Sequence, residues 1–330
     1  MTENTTNARQ AADQRKRAAA DWAAAAMGLT DVDLTTVSAD ASFRRYFRFP
    51  AANRSIVLMD APPEKENSAP FIDIASRLRS AGLKAPAILE FDLDLGFGLL
   101  EDFGDTLYRE LITRQSAGEI FPDLFAVLEG MAHRVESAGL PHYSETALEK
   151  ELDLFTDWYL ARQRQRSLSS GERATWDQVC RLLTTSALEQ PQVFVHRDFH
   201  SCNLLQTPDG PGIIDFQDGV RGPVSYDFVS LVWDRYISWP REQLEAWMLE
   251  IHAGLPVECS AAEWIRWCDW MGLQRNLKIV GIFARLKHRD GKDGYVEMIP
   301  RFYRYLLDVL PLYPEFRDLH LLLEQDSCAP

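Results

Sequence analysis

The stretch VFVHRDFHSCNLLQ, residues 193–206, decides the reading of this sequence. It carries the tripeptide His-Arg-Asp at 196–198, and the same tripeptide recurs at 288–290 in LKHRDGKDG. The surroundings of the two copies differ. Five residues after Asp198 stands Asn203, and the apolar run GIIDF then brings a second carboxylate, Asp215. Residues 193–195 read as a strand leading into the first copy. LLQTPDGPG reads as a strand that turns and returns. Five residues after Asp290 stands Tyr295, no apolar strand ending in aspartate follows, and RDGKDG is a glycine-punctuated, charged turn.

Phosphoryl transfer asks for the pattern around the first copy. One carboxylate must accept the proton of the attacking hydroxyl, and an amide oxygen with a second carboxylate must hold the magnesium that neutralises the triphosphate. Asp198, Asn203 and Asp215 supply these groups in the order and spacing of a kinase catalytic loop and the hairpin behind it. A structural loop in which Asp198 and Asn203 only cap turns leaves that ordered spacing unexplained. The copy at 288–290 is a coincidence.

Composition bounds the rest. The 330 residues carry a formal net charge of −14, which argues against binding nucleic acid through clustered Lys and Arg. No run of 18 apolar residues is present and the N-terminus is polar, so neither a membrane span nor a secretory signal is expected. The five cysteines, at 180, 202, 259, 268 and 328, form no CxxC pair. A reduced, cytoplasmic enzyme follows, without a disulfide framework or zinc site.

Along the chain, residues 13–29 read as an Ala-rich helix after a frayed start. SFRRYFRFP and RSIVLMDAP read as a hairpin, and PFIDIASRLRSAGL as a helix burying Phe71, Ile74, Ala75 and Leu78, stopped by Gly82. Two short strands follow, ending at a connection over 101–105. The sequence then turns mainly helical apart from 193–218. The expected fold class is α+β, a bilobal protein-kinase-like fold. Residues 1–100 form a small β-rich nucleotide-binding N-lobe with a helical extension, 101–105 a hinge, and 106–330 a mainly helical catalytic and acceptor-binding C-lobe.

The two motif stretches, VFVHRDFHSCNLL and GIIDFQDGVRGPVSYDFVSL, resemble the aminoglycoside phosphotransferase and choline kinase branch of the kinase-like superfamily. RRYFR (44–48), VLMDAPP (57–63), LLEDFGD (99–105), DWYLAR (157–162) and QRNLKIVGIFARL (274–286) resemble, within it, the bacterial anomeric kinases for N-acetylmuramate and N-acetylglucosamine. The resemblance runs from about Ser38 to about Tyr305. It implies ATP- and magnesium-dependent phosphorylation of the sugar C1 hydroxyl in cell-wall sugar recycling, by a monomer. Asp198 would be the base, without a strongly raised pKa, and Asn203 and Asp215 the magnesium ligands. His196 would hold the loop and Asp227 would brace it. Adenine would lie against the backbone near Glu101 and Phe103, whose side chains would be dispensable.

Two features depart from the superfamily pattern. No G-x-G-x-x-G loop precedes the first strands, and the strand expected to carry a phosphate-pairing lysine offers Met59 or Asp60. Arg44 and Arg45 are the candidate cations and Ser42 a candidate donor to a phosphate oxygen; as plain strand residues the two arginines would be solvated. For a carboxylate-bearing acceptor, Arg275 and Lys278 are the candidates, against the alternative of a solvated basic helix face. Trp158, Tyr159, Trp233 and Trp239 could stack on a sugar ring or sit in the core. Kinases of other small alcohols, such as aminoglycosides, choline or homoserine, and a non-catalytic nucleotide-binding module are the alternative readings.

Overall fold

The computed structural model describes residues 2–38, 43–52 and 54–327. The chain divides into two compact units, Met1–Leu107 with Leu204–Asp218, and Tyr108–Asn203 with Gly219–Pro330.

The first unit opens with α1 (Thr2–Met27), which begins well before the Ala-rich signal at residue 13. Strands β1 (Thr35–Ser38), β2 (Arg45–Ala51) and β3 (Arg54–Asp60) follow, then α2 (Ala69–Ser80), β4 (Ile88–Asp92) and β5 (Phe97–Glu101). The strands make one antiparallel sheet in the order β1-β2-β3-β5-β4. The expected hairpin runs in register from Arg45 opposite Asp60 to Ala51 opposite Arg54. Period-two alternation gathers Phe47, Phe49, Ile56 and Leu58 in one core with Ala19, Ala23 and Ala24 of α1. Helix α2 buries Phe71, Ile74, Ala75 and Leu78, as its periodicity requires.

Two ion clusters tie this unit together. Asp60 closes β3 with its side chain fully buried, and accepts from Arg45 Nε at 2.9 Å and from Arg15 Nε of α1 at 2.7 Å. Arg48 of β2 grips the connection after β5, reaching Asp102 at 2.6 Å and Asp105 at 2.8 Å. The bonds to Asp105 and then Asp102 raise the guanidinium pKa further above its usual range.

The second unit contains α3 (Tyr108–Leu111), α4 (Ala117–Arg134), α5 (Glu145–Leu154), α6 (Ser170–Glu189) and β6 (Gln192–Val195). Between β6 and its antiparallel partner β9 (Val220–Pro223), the hairpin β7 (Leu204–Thr207) and β8 (Gly210–Ile213) belongs to the first unit. There Ile213 N–H donates to the Lys84 carbonyl at 2.7 Å, and Phe216 stacks on Phe71 of α2 with ring centroids 5.0 Å apart. The second unit ends with α7 (Tyr226–Val232), α8 (Arg241–His252), α9 (Ala261–Asp290), α10 (Ile299–Val309) and α11 (Arg317–Ser327). An N-terminal antiparallel sheet followed by a helical C-terminal part is the α+β architecture expected. No helix among the described residues is long and apolar enough to cross a membrane.

After α5 the chain continues as a π-helix, Phe155–Gln163, packed against α9. The contact depends on Gly281, where a Cβ would lie 2.4 Å from the Leu154 carbonyl carbon. Backbone cannot swing aside as a side chain can. Gly281→Ala is therefore expected to cost about 1–3 kcal/mol of stability, read as a lowered denaturation midpoint; an unchanged midpoint would show that α9 and the π-helix separate freely.

Candidate active site

The loop after β6 is held by one carboxylate. Asp227, in the first turn of α7, accepts the backbone N–H groups of His196 at 2.6 Å and Arg197 at 3.0 Å. Arg197 has φ of +75°, a left-handed conformation costly for a residue with a long side chain. The two hydrogen bonds and an ion pair from Arg197 Nη2 to Glu151 Oε1 at 2.8 Å offset that cost. His196 is fully buried, and its Nδ1 accepts the Asp198 N–H at 3.3 Å. These are the contacts through which His196 and Asp227 would support the loop.

The spacing of five between Asp198 and Asn203 also acquires a reason. The Asp198 carbonyl accepts both the His200 N–H and Asn203 Nδ2–H, each at 3.0 Å. The asparagine thus closes the loop on itself with its amide nitrogen, which distinguishes that end from its oxygen. An amide oxygen and the Asp215 carboxylate are the hard oxygen donors magnesium prefers, and it takes only one or two carboxylates from a protein. Among the described residues no three His, Cys, Asp or Glu side chains cluster to hold a metal. Asp215 lies just after β8, in the first unit, at φ of +62°, with Oδ1 accepting from Gln217 Nε2 at 2.9 Å.

Behind the loop lies an ionic network centred on Glu151. Glu151 accepts Lys278 Nζ at 2.8 Å and Gln274 Nε2 at 3.2 Å, besides Arg197 and the Tyr143 hydroxyl. Lys278 also donates to the Tyr226 hydroxyl at 3.0 Å. Burial works to raise the Glu151 pKa, yet Lys278 and Arg197 prevail and hold it low. Asp198 behaves alike: burial pushes its pKa up, and positive charge nearby, that of Lys278 first and of Arg275 as well, brings it below the ordinary aspartate value. The expectation of no strongly raised pKa agrees with this.

Asp198 opens onto a cavity of about 200 Å3 in the second unit. Its lining includes the polar Asp198, His200, Ser230, Asp234, Arg235 and Arg275 and the apolar Trp233, Ile279, Ile282, Phe283 and Phe302. Trp233 fits because α9 offers Gly272, where a Cβ would come within 2.7 Å of the indole. Arg275 is only 6% exposed, and its Nη1 has no hydrogen-bond partner. Lys278, its sequence companion, does not line the cavity; its ammonium is engaged by Glu151 and Tyr226. The aromatic candidates divide likewise, since Trp239 packs on Trp247 and Phe121.

Sequence reasoning missed His200, Ser230, Asp234 and Arg235. His200 alone carried a signal, standing two residues after the base. Asp234 accepts the Ser201 N–H and hydroxyl, and the backbone N–H groups of Arg235 and Tyr236.

The first-unit candidates carry partners of their own. Arg45 is held by Asp60, and Arg44 lies 3.3 Å from Glu66. The Glu101 N–H donates to the Ala87 carbonyl at 2.8 Å, while its side chain accepts the Ala87 N–H at 3.1 Å and approaches Arg79 and Lys84 at 3.5 and 3.6 Å. The Phe103 ring covers Gly212, where a Cβ would lie 2.6 Å away. Both side chains thus make contacts of their own within the first unit. Ser42 lies outside the described residues.

The model of the phosphotransferase enzyme family matches residues 33–264. This chain belongs to that family. It is 45% identical over 298 residues to the N-acetylmuramate/N-acetylglucosamine kinase of Pseudomonas aeruginosa, covering 88% of each chain. Among solved structures it resembles the ethanolamine kinase of Plasmodium vivax, with TM-score 0.60 and 13% identity over 87% of this chain and 84% of that one. A thermostable aminoglycoside phosphotransferase, solved as a ternary complex with AMP-PNP and hygromycin B, gives TM-score 0.55 and 16% identity over 83% of this chain and 94% of that one. The protein-kinase-like plan and the family resemblance read from the motifs both hold. As a phosphotransferase, the chain moves a phosphoryl group to an alcohol.

The brace has a pH signature. Burial pushes the Asp227 carboxyl up to about 6, against the pull of His196 and the two backbone N–H bonds and with the push of Asp198. A raised folded pKa means that acidification through that value neutralises Asp227 without loss of its stability contribution; rising pH is what charges the buried group at a cost. The loop, however, needs the carboxylate. Turnover is expected to fall with a midpoint near 6 as pH drops, while stability does not follow. Asp227→Asn should lower kcat at neutral pH and lack that limb; a limb that persists in the variant would assign the titration to another group.

Proposed function

We propose that this phosphotransferase moves the γ-phosphoryl group of ATP to the anomeric hydroxyl of N-acetylated amino sugars, N-acetylmuramate and N-acetylglucosamine. The observation that carries the reading is the pair of guanidinium groups, Arg235 and Arg275, in the cavity that Asp198 lines. The lactyl carboxylate of N-acetylmuramate has a matched partner there in the unpartnered Nη1 of Arg275, which a cationic acceptor such as choline or an aminoglycoside could not use. The names of the bacterial relatives point the same way.

In this reading Asp198 orients the C1 hydroxyl and accepts its proton. A hemiacetal hydroxyl is more acidic than an ordinary alcohol, so a base with a low pKa suffices when alignment is good. Asn203 and Asp215 would hold magnesium, which offsets the developing charge on the phosphates. Adenine is assigned to the backbone near Glu101 and Phe103. Arg44, Arg45 and Ser42 remain the candidates for phosphate contact, and any such contact of Arg45 competes with Asp60. ATP as donor fits a cytoplasmic enzyme acting, as a monomer, in cell-wall sugar recycling.

The reading is tested by offering N-acetylmuramate, N-acetylglucosamine, choline and kanamycin with ATP and magnesium, the product position being read by phosphorus NMR. A sugar 1-phosphate is expected, and Asp198→Asn should abolish it while sparing ATP binding. Transfer to choline or kanamycin alone would overturn the acceptor assignment. Separately, Arg275→Gln should raise KM for N-acetylmuramate about 10- to 100-fold and leave N-acetylglucosamine within about threefold. Equal losses on both sugars would remove Arg275 from carboxylate recognition.

A further inference from the structure

Three buried side chains lining the cavity beside Asp198 carry polar atoms with no hydrogen-bond partner: His200 Nδ1, Ser230 Oγ and Arg275 Nη1. Their residues are 8%, 0% and 6% exposed. Buried polar atoms are satisfied by protein, water or ligand in nearly every native protein, so three of them on residues that line one cavity are available to a ligand bound there. Arg275 accounts for a carboxylate. His200 calls for something else.

The identity of the His200 donor follows from its neighbour. Arg235 Nη2 lies 3.0 Å from His200 Nε2. A guanidinium has only donors, so Nε2 must accept, and the imidazole must be neutral with its proton on Nδ1. Arg235 is itself fixed, with its N–H on the Asp234 carboxylate and its carbonyl accepting from Arg301 Nη1 at 2.8 Å. Asp234 in turn takes the Ser201 hydroxyl, so the tautomer is set by a chain of contacts inside the second unit.

The unpartnered group is thus an uncharged donor that cannot accept. Its complement is an oxygen that accepts without needing to donate. Among the groups shared by the two proposed sugars, the acetamido carbonyl is the strongest such acceptor, and the lactyl ether distinguishes them elsewhere. We propose that His200 is the specificity-determining residue for the acceptor's N-acetyl group, its Nδ1–H donating to the amide carbonyl, with Arg235 as the positioning residue. The assignment rests on the amino-sugar reading above. It accounts for one cavity taking both sugars: the shared amide is read by a neutral donor, and the carboxylate present in only one of them by Arg275.

The test compares kcat/KM for N-acetylglucosamine and 2-deoxyglucose, which lacks any acceptor at C2. The ratio in the native enzyme is expected to exceed about 10. His200→Phe keeps the ring volume without the donor and should bring the ratio to within about threefold of unity. His200→Asn, whose amide nitrogen takes the place of Nδ1, should restore most of it. A native ratio near unity overturns the proposal without any variant, which covers the case of a His200→Phe protein that does not fold. A native enzyme that phosphorylates N-acetylglucosamine, with a ratio unchanged in His200→Phe, overturns the role of His200 alone. A native enzyme that phosphorylates no amino sugar overturns the acceptor assignment beneath it.

Discussion

The two hydrogen bonds that Asp227 accepts from the backbone of His196 and Arg197 are the constraint on which the second unit's chemistry rests. A left-handed arginine does not persist unaided. Once it is held, the chain leaves β6 at a fixed angle, Asp198 emerges toward the cavity, and its carbonyl is presented to His200 and Asn203. The side chains of the loop are thus set largely by main-chain bonds. Helix α7 contributes more than a carboxylate, because an acidic group in its first turn also meets the positive end of the helix dipole.

Charge in the second unit is organised as two systems that differ in kind. The network of Glu151, Lys278, Arg197, Tyr143 and Gln274 is centred on one carboxylate, with Glu151 accepting from each of the other four. Around the cavity two guanidinium groups, Arg235 and Arg275, stand with two carboxylates, Asp198 and Asp234, and the oxygens of Asp234 are engaged by neighbouring N–H and O–H donors. A chain with net charge of −14 can therefore still present guanidinium groups to the interior of a cavity. Net charge describes the long-range field, while recognition is settled within hydrogen-bonding distance.

What was legible in the sequence was whatever depends on spacing along the chain. Asp198, Asn203 and Asp215 are separated by intervals that the loop and hairpin dictate. The buried face of α2 follows from the helical period. Arg275 and Lys278 could not be told apart, because they stand three residues apart on one helix and share a face. Only the partners brought by other elements, Glu151 and Tyr226, take Lys278 away from the acceptor. The same limit hid Arg48, whose two carboxylates lie more than fifty residues downstream, and Asp60, whose arginines come from α1 and β2. Ser230 looked like any serine in an apolar helix until the cavity beside it was seen to leave its hydroxyl without a partner.

The hairpin Leu204–Asp218 belongs to the first unit although it is inserted in the sequence of the second. During synthesis, then, the sheet of β1 to β5 leaves the ribosome long before the segment that carries Asp215 and Phe216. Phe71 of α2 waits for its stacking partner until about two-thirds of the chain has been made. The first unit therefore cannot mature in the order of its own residues. Chains usually fold domain by domain as they emerge; here the division of the fold makes completion of the smaller unit a late event, tied to the growth of the larger one.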